Sequence, residues 1–123
     1  MYWNVDIALD SFPYAGTTTT TECLLMAVPV VTLRGHNHAH NVGVSLLSRV
    51  PELQEGIASS KDDYVDIAAR FANDITRLSA LHESLRERFL ASSLCNGPEF
   101  SKRIEGIFRK LYSDYLDEQQ GHD

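Results

Sequence analysis

The sequence predicts an α/β fold: a small three-stranded parallel sheet followed by a helical C-terminal half. Three observations carry that prediction. Short apolar runs alternate with Gly-, Pro- and His-bearing loops over residues 5–58. One run, Pro29-Val30-Val31-Thr32-Leu33, is β-branched and apolar on both faces, as in a strand buried within a parallel sheet. From residue 60 to 119 the apolar residues recur instead at helical spacing.

The elements follow in order. Val5-Asp6-Ile7-Ala8-Leu9 reads as a first strand, ended by Asp10-Ser11-Phe12-Pro13-Tyr14. Gly16 opens the stretch Thr17–Glu22, which leads into Cys23-Leu24-Leu25-Met26-Ala27 as a helix of about ten residues. After the strand Pro29–Leu33, a polar loop from Arg34 to His40 leads to a helix over Asn41–Arg49. A weaker third strand falls near Gly56-Ile57-Ala58. Strand, helix, strand, helix, strand with short links is the βαβ pattern, so the sheet is expected to be parallel.

Ser60 with Asp63 three residues later has the spacing of a capping box. Tyr64, Ala68, Phe71 and Ile75 form one helical stripe, and Leu78, Leu81, Leu85 and Phe89 a second. That helix is expected to stop near Ser92-Ser93. Asn96-Gly97-Pro98 is a turn with proline placed to start a helix. Phe100, Ile104, Ile107, Leu111 and Tyr115 then make a third stripe, reaching to about Glu118, with a polar tail over 119–123. All three stripes are expected to be core contacts.

A chain of 123 residues is one domain by size. Its net charge of −6 is spread evenly, with two basic against five acidic residues up to residue 60 and nine against twelve beyond it. No basic face stands out, which argues against nucleic-acid binding. No apolar run reaches the ~20 residues of a membrane-spanning helix, and no charged-then-apolar secretory signal opens the chain. Cys23 and Cys95 lack a CxxC partner and read as reduced core thiols of a cytosolic protein.

The threonine run asks for an explanation, because five β-branched residues are poor helix formers. One explanation is a cap: Thr19 and Glu22 have the T-x-x-E spacing of a capping box. The other uses the same geometry for binding. A strand, a glycine turn and a helix start present unpaired N–H groups and a positive dipole end to a phosphate. Threonine hydroxyls add donors there, and Glu22, one turn in, could accept from a ribose. The run is not a P-loop, since it lacks the terminal Gly-Lys-Ser/Thr.

The string from Asp6 through Asp10, Pro13, Gly16 and Thr17-Thr18-Thr19 to Glu22, followed by Val28-Pro29-Val30-Val31-Thr32-Leu33, resembles the O-linked N-acetylglucosamine transferase family. More specifically, it is similar to the bacterial tetratricopeptide-linked and plant SPINDLY-like members. The resemblance continues through Gly35, His38-Ala39, Val42-Gly43, Tyr64–Ala68 and Leu90–Cys95, covering about residues 5–112. It implies a GT-B fold, two Rossmann-like domains around a cleft, of which residues 1–123 would be the C-terminal portion of the donor-binding domain. It further implies phosphate contacts at Thr17, Thr18 and Thr19, a ribose contact at Glu22, and His38 beside the pocket; Gly16 and Tyr14 fall at the C-terminal end of the first strand, where open α/β sheets bind ligands, so they are candidates to line the pocket, with plain packing the alternative for Tyr14. It places no catalytic residue in this chain. The donor would be a nucleotide sugar of the UDP-N-acetylglucosamine kind, with no other cofactor and no metal, and the acceptor a protein hydroxyl. Animal members carry histidine at the position of Thr17 and aspartate at that of Glu22. Two arginines usual in the family are missing from the Gly35–Gly43 stretch, and the family's diphosphate lysine and uracil loop lie upstream of residue 1. An alternative assignment is a non-catalytic module that binds nucleotide or protein.

His36, His38 and His40 alternate, so in an extended segment they would share one side and could ligate zinc. No distal cluster completes such a site, and no metal is assigned. The edge of the first strand and the C-terminal helix, if left without neighbours, would favour self-association.

Overall fold

The computed structural model describes residues 2–120; the end of the polar tail, with His122, lies outside the described residues. Strands β1 (Ala8–Leu9), β2 (Val30–Leu33) and β3 (Ile57–Ala58) form a parallel sheet in the order β1-β2-β3. Ala8 pairs with Val30 and Leu9 with Val31, while Thr32 pairs with Ile57 and Leu33 with Ala58. Helix α1 (Thr18–Leu25) links β1 to β2, and α2 (Val42–Leu47) with a 3-10 turn over Pro51–Gly56 links β2 to β3. Three further helices follow: α3 (Lys61–Asn73), α4 (Ile75–Ala91) and α5 (Gly97–Gln120). The α/β fold with a helical second half is the one the sequence predicts.

Alternation along β2 divides the core between two faces. Val30 points into a cluster with Cys23, Leu24, Leu47, Leu53, Leu85 and Phe89, so α1 and α4 pack on one side of the sheet. Val31 points into a second cluster with Ala58, Tyr64, Ile67 and Phe71, so α3 covers the other. At the end of α1 the Val28 N–H bonds the Cys23 carbonyl at 2.8 Å and the Ala27 N–H bonds Leu24 at 3.1 Å. This is a Schellman closure, and it puts Ala27 at φ 61°.

Several expectations are corrected. The first strand is shorter than Val5–Leu9, because the chain enters through a 3-10 turn at Tyr2–Asn4 with Val5 bonded to the Tyr2 carbonyl. The α3 stripe does not include Ile75. Asp74 caps a new helix by accepting the Arg77 N–H at 3.0 Å, which leaves Ile75 in an exposed first turn. Cys95 is exposed rather than a core thiol; Cys23 is buried. The largest departure is α5. Phe100, Ile107, Leu111 and Tyr115 are all more than half exposed, so the third stripe is not core. Periodicity marks an apolar face but does not say that a partner covers it.

The caps at Ser60 and Asn96 form. Asp63 donates its N–H to Ser60 Oγ at 3.1 Å, and its carboxylate accepts the Ser59 N–H at 2.8 Å. Asn96 accepts the Glu99 N–H at 3.2 Å, with Pro98 in the first turn of α5. No helix among the described residues is long and apolar enough to cross a membrane.

Candidate functional site

The C-terminal end of β1, the start of α1 and the histidine loop meet at one place. Asp10, the residue after β1, is buried and accepts from two sides. Its Oδ1 takes the Gly16 N–H at 2.7 Å, and its Oδ2 takes the Thr32 hydroxyl from β2 at 2.7 Å. Behind it, the Tyr64 hydroxyl of α3 donates to the Asp10 carbonyl at 2.7 Å. Between Asp10 and Gly16 the chain turns through a cis Phe12–Pro13 peptide, with the Ser11 hydroxyl donating to the Tyr14 carbonyl at 2.7 Å.

Space there is tight enough to require glycine twice. A Cβ on Gly16 would stand 2.6 Å from Thr19 Oγ1 and 2.7 Å from Thr20 Oγ1. A Cβ on Gly43 would stand 2.3 Å from Asp10 Oδ2 and 2.4 Å from Thr32 Oγ1.

The threonine run divides in two. Thr20 and Thr21 turn their hydroxyls back to the carbonyls of Gly16 and Thr17, at 3.1 and 2.9 Å, the usual way a hydroxyl settles on a helix. Thr17, Thr18 and Thr19 are exposed, and neither their hydroxyls nor their N–H groups bond to the chain among the described residues. The expected Thr19–Glu22 capping box does not form. Thr17 occupies the cap position without a side-chain bond, and Thr19 is already inside the helix. Glu22, exposed, instead accepts the Tyr2 hydroxyl on Oε2 at 2.9 Å, which raises the Tyr2 pKa above its ordinary value.

A cavity of about 170 Å³ opens beside this helix start, lined by Asp10, Ser11, Thr19, Thr20, Cys23 and the end of β1. Burial pushes the Cys23 thiol up, followed by the nearby Glu22 charge, so this cysteine stays protonated and unreactive near neutrality. Tyr14 and His38 are exposed and are not among the residues lining the cavity. A larger hollow of about 980 Å³ lies around the α3–α4 junction, between Glu55, Asp66, Arg70, Asp74 and Arg77. Size alone favours it, but Glu55 and Arg77 already pair with each other there at 2.5 Å. The threonine site presents unbonded donors, which is the chemistry an anion needs.

The histidine segment is not extended. His38–His40 forms a 3-10 turn in which Asn37 Oδ1 accepts the His40 N–H at 3.1 Å and His40 Nδ1 accepts the His36 N–H at 3.2 Å. Asn41 clamps the loop, exchanging two 3.0 Å bonds with the Gly35 backbone. The Ala39 carbonyl accepts the Ala15 N–H at 3.0 Å, tying the loop to the residue before Gly16. The described residues hold no group of three metal-ligating side chains.

A strand, a glycine turn, an exposed threonine helix start and a tethered His-Ala loop are the features through which the sequence resembles a transferase family. The model of glycosyl transferase family 41 matches residues 4–104. The chain belongs to glycosyl transferase family 41. This family-41 chain is 52% identical over 116 residues to the tomato (Solanum lycopersicum) protein named "Probable UDP-N-acetylglucosamine–peptide N-acetylglucosaminyltransferase SPINDLY", covering 94% of the chain and 12% of that relative. The Arabidopsis thaliana protein of the same name is 49% identical over 114 residues, covering 93% of the chain and 12% of the relative. A solved structure of a mutant Thermobaculum terrenum O-GlcNAc transferase superposes with a TM-score of 0.83 at 37% identity. That match covers 92% of this chain and 22% of the solved one.

The sequence singles out the family-41 threonines and Glu22 but assigns no role at this site to Asp10, Thr32, Gly43 or Tyr64. The available signal was an aspartate directly after an apolar strand, six residues before the glycine that opens the next helix.

Proposed function

We propose that this chain supplies the donor diphosphate and ribose contacts of a nucleotide-sugar-dependent protein O-glycosyltransferase. The donor is of the UDP-N-acetylglucosamine kind and the acceptor is a Ser or Thr hydroxyl of a protein. One observation carries the proposal. Thr17, Thr18 and Thr19 stand exposed at the start of α1 with hydroxyls and N–H groups unbonded, beside a cavity at the end of β1. Such a helix start, with its positive dipole end, suits a diphosphate.

In the transfer, the acceptor oxygen bonds to the anomeric carbon as that carbon's bond to the diphosphate oxygen breaks, and the hydroxyl proton passes to the departing diphosphate or to solvent. Negative charge gathers on the departing diphosphate, and donors already in place around it lower the barrier. Glu22 is assigned to the ribose hydroxyls through its Oε1, since Oε2 holds Tyr2. Tyr14 and His38, which do not line the cavity, and Gly16, whose N–H Asp10 holds, are assigned in this proposal to the outer rim of the donor site. The catalytic residues and the rest of the cleft belong to the remainder of a longer protein, of which this chain is the C-terminal part of the donor domain. The 12% coverage of the tomato relative supports the first part of that assignment, that the chain corresponds to a small part of a longer protein.

Amide NMR titration of the chain with UDP tests it. Thr17–Thr19 and Glu22 are expected to shift, and a Thr18→Val, Thr19→Val double variant to weaken the response. Absence of any shift at millimolar UDP would sink the proposal. The chain alone is expected to transfer no sugar.

A second surface also bears on partners. The apolar face of α5, from Phe100 through Phe108 to Leu116, is exposed, and so is Leu9 at the sheet edge. Up to residue 110, Lys102, Arg103, Arg109 and Lys110 outnumber Glu99 and Glu105, while Asp114, Asp117 and Glu118 follow, so two copies pairing antiparallel bring opposite net charges together although Arg103 and Lys110 also pair within the helix. We propose a second copy of this chain as the occupant. Light scattering should show a concentration-dependent dimer that a Phe108→Glu, Leu111→Glu variant abolishes. A monomer at all concentrations would refute the pairing.

A further inference from the structure

We propose that Asp10 is a positioning residue for the anion-binding threonines. This rests on the diphosphate assignment above and names the group that holds that site in shape.

Asp10 is 6% exposed, and three other segments converge on it. The Gly16 N–H and the Thr32 hydroxyl each bond one carboxylate oxygen at 2.7 Å, and Tyr64 bonds the carbonyl at 2.7 Å. Its N–H donates to the Val31 carbonyl at 2.9 Å. The Thr20 hydroxyl, bonded to the Gly16 carbonyl at 3.1 Å, also lies 3.4 Å from Oδ1. Only a glycine at position 43 leaves space for the carboxylate against α2, since a Cβ there would stand 2.3 Å from Oδ2. A buried carboxylate bonded to β2, on a residue whose backbone carbonyl α3 holds, therefore grips the backbone one residue before Thr17. Bonds from a charged acceptor are the strong ones, so this grip sets where α1 starts and which N–H groups remain unpaired. Gly16 is turned inward to Asp10, while the N–H groups of Thr17, Thr18 and Thr19 keep no partner among the described residues.

Two roles for Asp10 predict opposite signs. As a mere negative charge near the site it repels a diphosphate, so its neutralisation would tighten binding. As a positioning group it holds the donors in register, and its loss weakens binding, because small misplacements of preorganised donors are costly.

The experiment uses the whole chain, with UDP and inorganic pyrophosphate as separate probes followed by amide NMR, and with thermal melts in parallel. In Asp10→Asn the Gly16 amide proton is expected to move upfield and affinity for both probes to fall about tenfold. Thr32→Val serves as the comparison: it removes a bond to Oδ2 but leaves Gly16 on Oδ1, and is expected to lower the melting temperature with less than a threefold loss of affinity. Should Asp10→Asn not fold, Asp10→Glu carries the test, since it keeps the charge but moves the carboxylate away from the Gly16 N–H, and the same tenfold loss is expected. Unchanged or tighter binding in either Asp10 variant overturns the inference while leaving the diphosphate site standing. Equal losses in Thr32→Val at matched stability also overturn it. A wild-type chain that answers neither probe overturns the inference and the site together.

Discussion

The Tyr64 hydroxyl donates to the Asp10 carbonyl at 2.7 Å, joining α3 to the end of β1 across 54 residues of sequence. The same ring stands edge-on to Phe12, with centroids 5.4 Å apart, so one side chain braces both ends of the turn before the threonine helix. Burial raises the Tyr64 pKa, and the hydroxyl stays a donor throughout the physiological range. Tyr64→Phe keeps the ring contact and leaves a buried carbonyl without its partner. A loss of about 1–2 kcal/mol is expected, read as a lower urea midpoint with unchanged m-value.

Gly43→Ala is expected to cost about 1–3 kcal/mol, because the added methyl would overlap Asp10 Oδ2 and Thr32 Oγ1. Thermal unfolding measures it. A melting temperature equal to that of the parent would show that α2 can shift away freely.

Ala27→Gly should stabilise the chain. The residue sits at φ 61°, a left-handed conformation that costs a residue bearing a Cβ about 1–2 kcal/mol, whereas glycine adopts it freely. The greater freedom of glycine in the unfolded chain offsets part of that gain. A rise of a few degrees in melting temperature is expected, and a fall would contradict it.

Asp63 gives a pH dependence of known sign. The Ser59 N–H, then the Ser59 hydroxyl, hold its carboxyl below the ordinary carboxylate value. A depressed folded-state pKa contributes stability that is present above the unfolded value of about 3.9 and lost as pH falls through the folded value. Asp63→Asn should therefore be less stable than the parent at neutral pH, and the gap should close in acid. Urea midpoints measured across pH 7 to 2 follow that gap, and a constant difference would argue against this origin.

Much of the fold was legible in local chemistry. Ser60 announces its helix because a cap needs only a side chain and an N–H two or three residues away, and Pro98 marks the start of α5 because its fixed φ suits a first helical turn. The strand Val30–Leu33 shows as a run apolar on both faces because helices cover both sides of the sheet. At the site, the threonine run pointed to an exposed helix start, yet the Thr19–Glu22 box did not form. A three-residue spacing is necessary for that box, but which threonine caps depends on where the backbone enters the helix, and Asp10 controls that entry.

By itself, then, the sequence determined the α/β class, the order of its strands, the Ser60 cap and the threonine-bearing start of α1, all of which rest on neighbours a few residues apart. Only the tertiary structure decided what Asp10 does, because its partners Thr32 and Tyr64 lie 22 and 54 residues away and meet it only when β2 and α3 pack. The same holds for α5. Its apolar periodicity is a property of the chain, but burial is a property of what lies against it, and here the stripe from Phe100 to Tyr115 faces outward.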